Sequence, residues 1–275
     1  MKYFFRYLCI GMLALLCVGC SGKQAKPDDK NPEKAVETEK PLETANAAEE
    51  ASQYFEYEVD TEKKYVTIIS CLQPEAEEII IPEYFEYEGE NYPVTTIAEE
   101  AFYGNDSLKH ISIPNSVTKI DKDAFCGCEA LEEIEIPGTV VTMGTGLFFD
   151  CSALKKVTIG EGIVNLPDEI FTNCYALEEV KLPSTIVSIG KEAFWGCSAL
   201  QEINFPKTTV MLGERCLYSS GVKTLTMQSP AVSIYADMFE GMDTLETIYV
   251  PETLVSSVAD VLDNSGDVEV KAIGE

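Results

Sequence analysis

Residues Ile186 to Pro206 read IVSIGKEAFWGCSALQEINFP, and the same arrangement recurs on both sides of that stretch. Its phenylalanine belongs to a series, Phe102, Phe125, Phe148, Phe171 and Phe194, whose members lie 23 residues apart; Leu217 and Phe239 continue it at steps of 23 and 22. Recurrence at a fixed spacing of this size marks a stack of equivalent turns of chain, each too small to bury its own apolar face and each completed by its neighbours. The chain is expected to be a solenoid.

Aligned on the phenylalanine, eight positions of each turn are mostly apolar. Three residues after it stand Cys128, Cys151, Cys174 and Cys197, and six after it Leu108, Leu131, Leu154, Leu177 and Leu200. Nine and eleven after it come Ile111/Ile113, Ile134/Ile136, Val157/Ile159, Val180/Leu182 and Ile203/Phe205. Eight and five before it come Val94/Ile97, Val117/Ile120, Val140/Met143, Ile163/Leu166 and Ile186/Ile189. The Ile-x-Ile alternation has the period of a strand with one buried face, which predicts one short strand per turn in a parallel sheet. Pro114, Pro137, Pro183 and Pro206 end that strand, because proline has no N–H for the next ladder bond. Two residues after the aromatic the column reads Gly104, Gly127, Asp150, Asn173, Gly196, Ser219 and Gly241. Most of these types tolerate a left-handed backbone, as a sharp corner repeated every turn requires.

The combination Ala-Phe, then Cys, Leu and Ile-x-Ile-Pro, resembles the BspA-like (treponemal-type) leucine-rich repeat family, whose copies have this length. The resemblance runs from about Ile79 to Pro251 and recurs seven times. It implies a mainly β repeat solenoid, a right-handed leucine-rich-repeat coil built on a parallel sheet. Departures are local: Leu147 and Ile170 replace the small residue before the aromatic, Gly160 replaces the proline, Leu217 replaces the aromatic, and the Tyr218 to Val222 corner is one residue short.

An apolar stack requires lids, since an open last rung exposes its core and its strand edges. Residues 53–93 are expected to form an N-terminal cap: a β-hairpin of Tyr54 to Val59 and Tyr65 to Ser70, a half-repeat at Ile79 and Ile81, and a second hairpin from Tyr84 to Pro93. The 23-residue repeats then fill 94–251. Residues 252–275 are expected to be a helix/strand cap, with Leu254, Val255, Val258, Val261 and Leu262 on one helical face. Asn264 and Gly266 end that helix, and Val268 to Ile273 close the sheet.

Residues 1–20 have the layout of a bacterial export signal: Lys2 and Arg6, an apolar run from Leu8 to Val18, and a cysteine at 20. The Val18-Gly19-Cys20 ending resembles a lipoprotein signal, in which Cys20 becomes the first mature residue and carries acyl chains. Each buried methylene contributes about 0.8 kcal/mol, so two or three chains anchor a protein firmly. Residues 21–52 hold no aromatic and no isoleucine but many Lys, Glu, Asp, Ala and Pro, the composition of a disordered tether. The expected location is therefore outside the cytoplasm, lipid-anchored to a bacterial membrane and exposed at the cell surface.

The chain carries a formal charge of −27; setting aside +2 for the export segment and −3 for the tether leaves −26 on the repeats and caps. Such a surface repels phosphate backbones and anionic headgroups, so no nucleic-acid partner is expected and the membrane is met through the lipid alone. Of the ten cysteines, three lie in the export segment and four form one inward column at rung spacing, wider than the ~3.8 Å between Cβ atoms that a disulfide prefers. They read as small buried apolar residues, as does Cys216, whereas Cys71 belongs to no column. The single histidine lies on a solvated strand face, and no nucleophile elbow, phosphate loop or metal triad accompanies it. The chain is expected to be neither an enzyme nor a holder of metal or cofactor.

In a solenoid the exposed sheet face displays its polar residues in register and lets them vary without harm to the core. Here that face is His110, Ser112, Glu133, Glu135, Lys156, Thr158, Glu179, Lys181, Glu202, Asn204 and Tyr249, a mixture of both signs that suits a protein ligand. Tyr103, Phe149, Tyr175, Trp195 and Tyr218 form an alternative aromatic patch, either a second contact surface or side chains packed over the corners. The family resemblance implies adhesin-like attachment to host extracellular-matrix or other cell-surface proteins. The alternative is a structural envelope scaffold joining surface proteins of the same cell.

Overall fold

The computed structural model describes residues 53–235, 238–262 and 268–274. The export signal expected over 1–20 with its Cys20, the tether expected over 21–52, and the helix-ending Asn264 and Gly266 lie outside the described residues.

The phenylalanine series is a stack in space. Phe102, Phe125, Phe148, Phe171 and Phe194 are all buried, and successive ring centroids lie 5.0, 5.3, 5.7 and 5.5 Å apart with planes 9 to 24° from parallel. Leu217 extends the stack as a buried residue, and Phe239 packs against it half-buried. Burying one such ring contributes on the order of 2 kcal/mol, so the column is the apolar axis of the coil.

The cysteine column runs beside it and is more than apolar filler. The thiols of Cys128, Cys151, Cys174 and Cys197 each donate to the carbonyl of the phenylalanine one rung earlier, Phe102, Phe125, Phe148 and Phe171, at 3.2 Å in every case. A small residue that also donates is what this position selects. All seven cysteines among the described residues are free thiols. Cys71 lies at the end of the first hairpin, where the Asn105 amide donates to its sulfur at 3.7 Å; Asn105 occupies the cysteine position of the first rung.

Each aromatic from Phe102 to Phe194, and Leu217 after them, is framed by two left-handed residues. The expected column two positions after it is left-handed throughout, from Gly104 at φ 66° through Asp150 at 59° and Asn173 at 62° to Gly241 at 69°. A second column, two positions before it, is left-handed as well: Glu100, Asp123, Gly146, Glu169, Glu192 and Arg215 have φ between 53 and 63°. Such a conformation costs an ordinary residue roughly 1 kcal/mol. Hydrogen bonds to the next rung offset it: Glu169, Phe171 and Asn173 donate their N–H groups to the carbonyls of Lys191, Ala193 and Trp195 at 2.8 to 2.9 Å. The same triple recurs from Glu100 to Gly196.

The first six repeats each contribute two strands rather than the one that alternation predicts. The Ile-x-Ile strands form a five-stranded parallel sheet, Glu78–Ile80, His110–Ser112, Glu133–Ile136, Lys156–Ile159 and Glu179–Lys181. A further sheet follows, Glu202–Phe205, Thr224–Met227, Thr247–Val250 and Glu269–Ala272. On another side of the coil, two-residue strands such as Lys119–Ile120 and Ser188–Ile189 pair in parallel. This second face breaks between Thr142–Met143 and Asn165–Leu166. Asp121, Gly144 and Gly213 donate their N–H groups to Ile97, Ile120 and Ile189 at 2.9 Å; Pro167 fills the equivalent place and has no N–H to give.

At the front, Phe55–Asp60 pairs antiparallel with Tyr65–Cys71, which joins Glu90–Ile97 in parallel and so leads into the first rung. Tyr84–Tyr87 folds back on Glu90–Ile97 through Glu88 and Gly89, both at positive φ, the two-residue turn that suits a twisted hairpin. Phe55 meets both Phe85 and Phe102, the first ring of the stack, edge to face. At the back, the helix Val255–Val261 buries Val258, and Glu269–Ala272 adds the last strand in parallel to Thr247–Val250.

The first of two measurements on the thiols tests the column. Ser220 already stands in it, and its buried hydroxyl, on a shorter bond than C–S, finds no partner. Cys174→Ser is therefore expected to lower stability by about 1 to 3 kcal/mol in urea unfolding, and an unchanged midpoint would remove weight from the thiol hydrogen bond. The second concerns alkaline pH. Burial pushes the Cys216 thiol up to about 12 from an ordinary 9.0 and the Cys126 thiol up to about 11. The neutral thiol is favoured in the fold, so its contribution is complete below the unfolded value and is lost as pH rises through the folded one. Stability should fall above pH 9 with a slope of up to about 1.4 kcal/mol per pH unit for each fully buried thiol. Cys216→Ala, which restores the small residue usual at that position, should flatten that slope.

Candidate functional site

The polar side chains of the Ile-x-Ile strands stand in rows because the strands pair without offset. His110, Glu133, Lys156 and Glu179 are register partners, as are Glu135, Thr158 and Lys181. Ser112, Glu133, Glu135, Glu179 and Lys181 are exposed, and His110, Lys156 and Thr158 half-buried. A parallel row lies one position earlier in each strand's approach: Lys109, Glu132, Lys155 and Glu178 alternate in sign. Lys109 meets Glu77 at 2.8 Å and Lys155 meets Glu132 at 2.9 Å. The hydrogen bond from Lys155 holds the Glu132 carboxyl below the usual carboxylate range, and the same bond raises the lysine. Glu132, Glu133, Lys155, Lys156, Glu178 and Glu179 line one shallow depression on this face.

The structure divides the expected face in two. The row ends at Glu179–Lys181, and Glu202, Asn204 and Tyr249 lie on the second sheet. There Asn204 pairs in register with Thr226, and Thr226 with Tyr249, while Gln228 donates to the Asn204 side chain at 2.9 Å. Thr224 and Thr226 belong to this surface although the 23-residue spacing points to their neighbours, because the short corner before them shifts the register by one. Tyr249 has Lys271 on its other side.

The aromatic residues do not form one patch. Tyr103 and Tyr175 are more than half exposed, Phe149 is half-buried, and only Trp195 and Tyr218 meet ring to ring, with centroids 4.7 Å apart and planes tilted 45°. Arg215 sits over the Tyr218 ring at 5.7 Å and pairs with Glu240 at 3.4 Å. The Glu240 charge raises the guanidinium pKa.

A third surface had no signal in the apolar columns. At the break in the two-residue strands a shallow cleft opens, lined by Val140 to Met143 and by Gly162 to Asn165 with Pro167. Val141 is 83% exposed there. Among the described residues no group of three or more His, Cys, Asp and Glu side chains is placed to hold a metal ion, and no helix is long and apolar enough to cross a membrane.

No curated protein matches the chain. Among solved structures it is similar to a leucine-rich cell surface protein from Faecalibacterium prausnitzii, at 21% identity over 79% of this chain and 71% of that one, with a TM-score of 0.49. It is similar also to the T. pallidum leucine-rich repeat protein, at 19% identity over 76% and 94% of the two chains, TM-score 0.44. A leucine-rich repeat protein from Bacteroides ovatus gives 20%, 80% and 75%, with 0.41. The model of the BspA type leucine rich repeat region matches residues 95–190 and 164–271 in six copies. With parallel rungs, stacked aromatics and that match over more than half its length, the chain belongs to the BspA-type leucine-rich repeat family.

Proposed function

We propose that this protein is a non-catalytic, lipid-anchored binding protein displayed at a bacterial surface, and that the face of its first parallel sheet is where a protein ligand docks. The observation that carries the reading is the set of solvent-facing rows in register, exposed or half-buried along their length, His110 to Glu179 and Glu135 to Lys181. These side chains point away from a core closed without them, so their identity is free to serve recognition. Alternating charge along a row fixes how a partner is placed more than how tightly it is held. The Cys20 anchor and the 21–52 tether support display away from the membrane. The cell-surface protein of Faecalibacterium prausnitzii supports the location by its description alone.

The test is capture from cell-surface and matrix extracts on the full chain, against the charge-reversed pair Glu133→Lys and Glu179→Lys. The reversed chain is expected to lose at least about tenfold in affinity for the captured protein, with an unchanged melting midpoint. Capture that is blind to both substitutions would remove the sheet face as the docking surface. Protease treatment of intact cells should release the protein; release only after lysis would favour the envelope scaffold instead.

A further inference from the structure

Trp195 is the sole tryptophan of the chain, and Arg215 is one of its two arginines, the other lying in the export segment. They meet at Tyr218, one rung on from Trp195. The tryptophan and tyrosine rings lie 4.7 Å apart, and the guanidinium stands over the tyrosine at 5.7 Å. The tyrosine ring is fixed from the far side by Gly241, where a Cβ would come within 2.6 to 2.9 Å of three ring atoms. Trp195 keeps part of its surface open to solvent. Two carboxylates stand by the guanidinium: Glu240 bonds Arg215 at 3.4 Å, and Glu214 lies near enough to Lys191 and Arg215 to act on both charges.

We infer that Trp195 and Tyr218, with the carboxylates of Glu214 and Glu240 that stand by Arg215, form a receptor for a lysine or arginine side chain of a basic protein partner. A cation over the face of an aromatic ring is attracted by the ring quadrupole, most strongly by tryptophan. The site already holds one cation in that manner, the chain's own Arg215. The field of a domain at −26 draws basic segments toward it, and rigid aromatic rings lose little freedom when they are covered. The inference extends the protein-binding reading to a surface separate from the sheet rows.

The lone tryptophan makes the site its own reporter. The full chain is titrated with a fluorescein-labelled peptide of alternating lysine and serine, and anisotropy gives the Kd while Trp195 emission is followed with the unlabelled peptide. The lysine peptide is expected to shift that emission, whereas the same peptide with glutamate in place of lysine does not bind. Tyr218→Leu should weaken the Kd roughly 2- to 30-fold. Glu240→Gln, on an exposed residue, should weaken it in the same direction without moving the thermal midpoint. A Kd indifferent to both substitutions means attraction by overall charge and overturns the inference, as does an equal emission shift with a neutral glucose oligomer. Charge reversal at Glu133 and Glu179 should be silent in this assay. Loss of the peptide response with capture intact therefore removes only the aromatic receptor, and the reverse outcome removes only the sheet face.

Discussion

What keeps the rungs in line is the corner that frames each phenylalanine, where a left-handed residue on either side sends alternate N–H groups to the carbonyls of the next turn. That ladder runs unbroken from Glu100 to Tyr218, while both sets of strands are interrupted. The two-residue strands stop between Met143 and Leu166, the longer ones between Lys181 and Glu202. At each interruption the corner still bonds, Phe148 to Ile170 at 2.9 Å and Asn173 to Trp195 at 2.8 Å. The stacked rings and the thiols held by phenylalanine carbonyls are dependents of that corner, since both rely on successive turns being superposed.

Because the corner and core fix the coil, its outward positions are released from structural duty. Glu133, Lys156 and Glu179 can change type without disturbing Ile134, Val157 or Phe171. The same division explains why the surfaces differ from rung to rung while the inside repeats. It also explains how a cation-retaining aromatic pair arises at one level only: the residue after the buried aromatic is Tyr103, Cys126, Phe149, Thr172, Trp195 and Tyr218 in successive turns.

The coil was legible in the sequence because its buried positions repeat with one residue type each, and a ring or thiol that recurs every 23 residues has no other simple account. The left-handed column after the aromatic could be read as well, through its Gly and Asn. Its counterpart before the aromatic could not, since Glu100, Glu169, Glu192 and Arg215 have no preference for that conformation, and at the three glutamates bonds to the next turn hold it. The second strand of each turn escaped for a different reason: two residues such as Lys119 and Ile120 are too few to display alternation. Sheet-face residues were recovered where the spacing is regular and missed at Thr224 and Thr226, where one deleted residue displaces them. The meeting of Trp195 with Tyr218 was foreshadowed by their shared column; the fixing of Tyr218 against Gly241 was not, because it depends on an absent side chain on the following turn.

The sulfur column bears on how the protein is made. Wound, Cys128, Cys151, Cys174 and Cys197 are sealed from solvent and tied to carbonyls. Unwound, the same thiols are spaced along a flexible chain and open to oxidants. Maturation in the presence of an oxidant is then a race between winding and mispairing, and a fold whose contacts close over a single repeat, extending turn by turn from any starting point, is well suited to that contest.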